Sequence, residues 1–238
     1  MSRNLAVLLF FSATLLAACN LDEVVVSGSG DIVTLEEDLS DFRRVEASHS
    51  FDVNIEQGES YSVVVRIDDN LQDDLVARVR DGALELGLSR NLITTNATME
   101  ADITMPELIG VGLSGSSDAR ILGFNSSSPF SAGLSGSSSL SGDIGSGDVA
   151  LDLSGSSDVI LNGSGANLDI NSSGASDIDL TNFPVEDASL KLSGSSQVAV
   201  NVNGTLDVSA SGSSDVTYRG EPRLGDISTS GSSSVSRE

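Results

Sequence analysis

The chain has 238 residues, with 35 Asp and Glu against 12 Lys and Arg, a formal net charge of -23. That balance excludes nucleic acid as a partner, because neutralising phosphates takes clustered cations, and it argues against direct docking on an anionic membrane. A single Cys rules out an intrachain disulfide framework or a Cys-based zinc site, and the lack of Trp leaves little for stacking sugars or bases.

Residues 1–18 read as a signal peptide. Arg3 is a minimal basic start, and Leu5 to Leu16 is mostly apolar but too short for the roughly 20 residues of a membrane span. Leu16-Ala17-Ala18-Cys19 resembles the lipobox of bacterial lipoproteins, which makes Cys19 the expected lipidation site. Multiple acyl chains there would anchor the chain firmly. The residue that follows, Asn20, is not the Asp that retains some lipoproteins in the inner membrane, so the expected destination is the outer membrane. Removing residues 1–18 takes away Arg3 and no acid, leaving 35 acidic and 11 basic residues, a net of -24.

Residues 19–40 are acidic and are expected to serve as a tether and first strand. Residues 41–110 carry strand periodicity. Phe51, Val53 and Ile55 alternate, Gln57-Gly58-Glu59 makes a turn, and Val63 and Val65 alternate again. Asp68-Asp69-Asn70 breaks that strand, and Asp81-Gly82 suits a hairpin before Leu84, Leu86 and Leu88. His49, the one His, falls in an expected strand. The section is expected to continue into the repeats and to cover their N-terminal end.

From residue 111 onward, 34 Ser and 18 Gly in 128 residues suggest a flexible linker by composition. Periodicity overrules that reading. Ser-Gly-Ser-Ser-Asp-Val, or a near copy, recurs seven times, centred on Gly115, Gly136, Gly155, Gly174, Gly194, Gly212 and Gly231. At positions -6, -4, -2, +4 and +6 from each Gly, 30 of 35 residues are apolar; at the interleaved positions -5, -3, -1, +3 and +5, only 3 of 35 are. Each unit therefore reads as strand, bend, strand, turn. Equivalent strands stack into an all-β fold, a parallel β-helix or β-solenoid of about seven coils of 19–20 residues, with two faces or three per coil. Strand spacing of about 4.8 Å makes the seven coils roughly 34 Å long. One coil cannot stand alone. Its four or five inward side chains contribute roughly 1.5–3 kcal/mol each, while ordering its backbone costs about 1–2 kcal/mol per residue.

The bend glycines supply backbone freedom, and the flanking serines are expected to form a structural ladder rather than a catalytic row. No Gly-x-Ser-x-Gly elbow occurs, and His49 lies outside the repeats. Position +3 reads Asp118, Ser139, Asp158, Asp177, Gln197, Asp215 and Ser234, so only Asp158 and Asp177 fall on adjacent coils. Two charges 5 Å apart repel by roughly 3 kcal/mol at an effective dielectric of 20, and the interrupted column avoids that repulsion rather than inviting a cation, so no metal is expected, with Asp158 and Asp177 the one candidate pair for Ca²⁺. No other metal, cofactor or catalytic residue is expected.

Phe42-Arg43-Arg44-Val45, Phe51-Asp52-Val53-Asn54-Ile55-Glu56-Gln57-Gly58, Val63-Val64-Val65, Asp69-Asn70-Leu71 and Asp81-Gly82-Ala83-Leu84-Glu85-Leu86 occur in that order ahead of the repeats. This arrangement resembles the auto-transporter adhesin head GIN domain family over about residues 28–238. The resemblance implies a right-handed β-helix in an exported bacterial protein and brings no catalytic residues with it. No membrane-barrel segment follows the repeats in this sequence, and the lipobox suggests a different anchor. The expected function is a non-enzymatic, lipid-anchored envelope protein with an acidic adhesin-like surface, held to the membrane through lipid and facing an envelope protein or glycan. The alternatives are a β-helix that binds or degrades polysaccharide, and a structural periplasmic component without a small ligand. Oligomeric state is left open.

Overall fold

The structure, a computed structural model, describes residues 24–90 and 92–238. The signal segment and the lipidation site expected at Cys19 lie outside the described residues. Nine strands precede the repeats: β1 (Val24–Ser27), β2 (Ile32–Glu37), β3 (Arg44–Ala47), β4 (Asp52–Gln57), β5 (Ser62–Asp68), β6 (Leu75–Arg80), β7 (Ala83–Leu88), β8 (Leu92–Thr95) and β9 (Met99–Met105). The repeats supply two strands each: β10 (Gly110–Leu113) and β11 (Asp118–Asn125), β12 (Phe130–Leu134) and β13 (Ser139–Gly145), then β14 (Val149–Gly155) and β15 (Asp158–Ser164). They continue with β16 (Asn167–Gly174) and β17 (Asp177–Val185), β18 (Asp187–Gly194) and β19 (Gln197–Val202), β20 (Thr205–Gly212) and β21 (Asp215–Arg219), and finally β22 (Arg223–Thr229) and β23 (Ser234–Arg237).

The first strand of every repeat enters a ten-stranded sheet and the second an eleven-stranded sheet. Each coil therefore has two faces, and the repeats stack in parallel as a β-solenoid. Registers run residue against residue, as in Val149↔Leu168↔Ala188↔Leu206, so the inward side chains form apolar columns between the sheets. Alternation follows from the two-residue period of a strand: in β14, Val149, Leu151 and Leu153 are buried while Ala150 and Asp152 face outward. An inward Ser172 breaks the apolar pattern, and its hydroxyl is hydrogen-bonded to the buried Ser196 hydroxyl at 2.9 Å.

The stack does not follow chain order at its start. β3 and β4 form a complete coil, with β10 and β11 stacked on one side. The level on the other side comes from later in the chain, β7 beside β3 and β9 beside β4. Beyond that level the sheets turn antiparallel: β6 pairs with β7 across the Asp81-Gly82 turn, both residues at positive φ, and β5 pairs with β9 and β2 with β5. The opening section is thus both the start of the solenoid and its end cover. From Val24 onward the acidic stretch expected to be partly tether lies in strands, β1 beside β8 and β2 beside β5.

At the far end, every residue of β22 is exposed, including Leu224 and Ile227. Its register against β20 slips between Leu206 and Val208, which sets Gly225 and Asp226 against Asp207 alone. A bulge and a charge at this position blunt a free edge that could otherwise pair with another sheet.

Candidate functional site

The bends are built by stacking. All seven bend glycines have positive φ, from +72° at Gly231 to +131° at Gly174. In six of them a Cβ would run into the backbone of the glycine one coil below; Gly115 has open space to 3.5 Å, where His49 lies beneath it. His49 is therefore not in a strand. It occupies the bend between β3 and β4 at φ +62°, where the repeats use glycine, because Ala47 and Asp52 align with Leu113 and Asp118. The serines at +2 point inward and are buried, except in the last copy. Ser117, Ser138, Ser157 and Ser214 each donate a hydroxyl hydrogen bond to the carbonyl three residues earlier, at 2.9–3.3 Å. Their geometry is that of a ladder that satisfies a tight bend.

The Ser48 hydroxyl lies 2.8 Å from His49 Nδ1, and the Leu88 N–H points at the same nitrogen. Among the described residues no carboxylate hydrogen-bonds that ring, so the third member of a nucleophile–base–orienter set is not assembled here.

Outside the eleven-stranded sheet, the +3 positions line up as one column, which extends two levels into the opening section: Glu100, Asp52, Asp118, Ser139, Asp158, Asp177, Gln197, Asp215, Ser234. Ser139 donates to Asp118 and Ser234 to Asp215, so hydroxyls between carboxylates both space and satisfy them. Asp158 and Asp177 do sit side by side, exposed on adjacent coils. Among the described residues no group of three or more His, Cys, Asp or Glu is placed to hold a metal ion.

Three acids in a row, Glu100, Asp52 and Asp118, have a measurable consequence. Partial burial, then Asp118 and Glu100, push the Asp52 carboxyl above its ordinary pKa. A raised pKa means that the ionised form is disfavoured in the fold, fully so above the folded value and not at all below the unfolded one. D52N is therefore expected to raise the melting temperature at pH 7, with the gain disappearing as the pH falls to the range where Asp52 is protonated. Thermal melts across pH 3–8 read this directly, and an unchanged or lower melting temperature at pH 7 contradicts it.

Two buried acids hold the end cover: Asp68, which the sequence marks only as a strand breaker, and Asp74. Asp68 at the end of β5 accepts from the Gly30 N–H at 2.6 Å, the Thr98 N–H at 2.7 Å and the Ser29 hydroxyl at 3.2 Å. Asp74 accepts from Arg90 and from the Ser89 hydroxyl. Both carboxyls are held below the usual range, Asp68 chiefly by the Thr98 and Gly30 N–H groups and Asp74 chiefly by Arg90. Their chemistry is structural.

The feature best suited to holding another molecule is a trough of about 660 Å³ on the outer face of the ten-stranded sheet. Its floor is low because small residues stand in outward positions on neighbouring strands, Ser131 on β12 and Ala150 on β14. Arg43 and Arg44 border one end, and Asp148, Asp169, Asp187 and Asp207 run toward the other. From Arg44 on β3 to Asp207 on β20 is six strand spacings, roughly 29 Å. Arg43 faces Glu107 at 3.5 Å, but the ion pairs of the described residues include neither Arg44 nor any of the four Asp. A hollow of about 570 Å³ lies beside it, around Glu46, Gly112 and Gly133. Solvent-facing charges of opposite sign at the two ends can orient a long dipolar ligand laid across the strands. The sequence signal for this site is the outward column that runs through Ser131, Ala150, Asp169 and Ser189 to Asp207 and turns acidic at Asp169.

The sequence profile of the family described as "Putative auto-transporter adhesin, head GIN domain" matches residues 41–222. Solved structures share the fold at low identity. A "putative adhesin" of Bacteroides fragilis aligns with a TM-score of 0.82 at 18% identity, covering 90% of this chain and 100% of that one. A "Putative lipid binding protein" of Parabacteroides distasonis aligns with 0.73 at 20%, covering 90% and 99%. A "putative adhesin" of Parabacteroides merdae gives 0.67 at 18%, covering 90% and 99%. No curated protein matches the chain.

Proposed function

Because the chain belongs to the auto-transporter adhesin head GIN domain family, we propose that it is a non-enzymatic adhesin-like module of the bacterial envelope, anchored by lipid at Cys19. The trough across the ten-stranded sheet is its recognition surface. The observation that carries this reading is the trough itself: a long, low floor of small residues with Arg44 at one end and, toward the other, carboxylates that, like Arg44, take part in no ion pair among the described residues. A rigid solenoid suits adhesion because its registers fix those charges at strand spacing, so little ordering entropy is lost when an extended partner docks. The partner expected is an extended envelope protein segment or glycan carrying cationic groups against Asp169, Asp187 and Asp207. Lipid at Cys19 supplies the attachment to the membrane.

Cells that carry the full chain are expected to bind a target surface, and the triple variant D169N/D187N/D207N to lose most of that binding, on the order of tenfold, while folding normally. Binding that persists unchanged in the triple variant removes the trough from the mechanism. Protection of the protein from protease added to intact cells removes the outward-facing reading altogether.

A further inference from the structure

The parallel pair β1 and β8 stands apart from both long sheets. In one direction it faces the core, since Leu92 is buried and Val26 packs against the same cluster. Away from the core, Val25 and its register partner Ile93 are 61% and 43% exposed; Val24, at the strand's start on the same side as Val26, is 48% exposed. Three of the seven large apolar side chains exposed among the described residues thus belong to a sheet of eight residues. None of those eight is charged, in a chain whose net charge is -23. Exposed, contiguous and uncharged apolar surface marks a contact.

Chain length identifies the occupant. Cys19 precedes Val24 by five residues, which span at most roughly 18 Å when extended. Lipid attached there holds this small sheet at the bilayer surface, where a weak second contact becomes effectively intramolecular. We propose that the outer face of the β1–β8 sheet rests on the lipid surface, with Val25 and Ile93 entering the headgroup region and fixing how the solenoid leaves the membrane. This rests on the lipid-anchor reading above and adds to it an orientation. The surface is a zwitterionic one, since the acidic body would be repelled by an anionic leaflet.

The chain has no Trp, so single substitutions report their own surroundings. V25W and I93W are compared with I160W, which replaces a side chain 53% exposed on the repeats. Each is made in the full lipidated chain and reconstituted into phosphatidylcholine–phosphatidylethanolamine vesicles with brominated acyl chains. Quenching at V25W and I93W is expected to exceed that at I160W at least threefold. Intact mass of the N-terminal Cys separates the two readings. An unacylated Cys19 overturns the anchor and this orientation together. An acylated chain with equal quenching at all three positions overturns the orientation alone. A V25W emission that shifts to the blue with rising protein concentration, without lipid quenching, assigns the face to a second copy and also overturns it.

Discussion

Gly155→Ala is expected to destabilise the protein by about 3 kcal/mol or more, against about 1–2 kcal/mol for Gly115→Ala. Both glycines have similar backbone angles, φ +86° and +77°, so the left-handed penalty on an L residue is shared. Both lie over another bend, but only at Gly155 would a Cβ strike it: the Gly136 backbone there is itself fixed by the hydrogen bond from the Ser156 N–H to the Gly136 carbonyl at 2.8 Å, whereas at Gly115 a Cβ would stand 3.5 Å from His49. Neither atom can move without opening the ladder above or below. The comparison separates conformational freedom from close approach as the reason for glycine. Urea unfolding of the two variants decides it, and equal losses would show that stacking distance plays no part.

Asp68→Ala is expected to lose about 2–3 kcal/mol, because it removes the buried, charged acceptor of the part-buried hydrogen bonds from the Gly30 and Thr98 N–H groups. Damage should concentrate in the end cover, since Asp68 joins the entry to β2, the end of β5 and the entry to β9. Amide exchange of residues 24–105 should accelerate well before that of the middle coils. Acid should act in the same place. The carboxyls of Asp68 and Asp74 are held below their ordinary range, so their contribution is complete above the unfolded pKa and is lost as the pH falls through the folded one. Stability in wild type should therefore decline steeply at strongly acid pH, and D68A should show a shallower decline over the same interval. A parallel pH profile for the two proteins would separate Asp68 from the acid response.

The repeats were legible because each rule they obey is local and recurs seven times. Val149, Leu151, Leu153, Val159 and Leu161 alternate as a buried strand must, and the Ser-Gly-Ser-Ser phrase marks its own bend. The two-faced coil was not legible, since spacing along a coil says nothing about how sharply its turns fold back. The opening section was legible in its turns, Asp81-Gly82 among them, but not in its order of stacking. Nothing local to β3 announces that β7, some 40 residues on, will lie beside it. His49 was misplaced for a related reason: only the alignment of Ala47 with Leu113 reveals that it stands where a glycine otherwise would. The trough was missed because its parts, Arg44, Ser131, Ala150 and Asp169, are unremarkable alone and meet only once the strands are in register. Asp68 looked like a strand breaker, and its burial depends on groups from Ser29, Gly30 and Thr98 that sequence proximity does not connect.

The crossed order of the first levels gives assembly a direction. β3 and β4 present one edge to β10 and β11 and the other to strands completed only at Met105, so that second edge is closed only once the whole opening section has come together. That closure carries the long loops and is the slow, entropically expensive step. Each later coil needs only about 19 residues to lie down on a finished template. Such a molecule is expected to elongate from a nucleus at one pole and to melt back from the other, with amide exchange fastest in the exposed β22 and in β23.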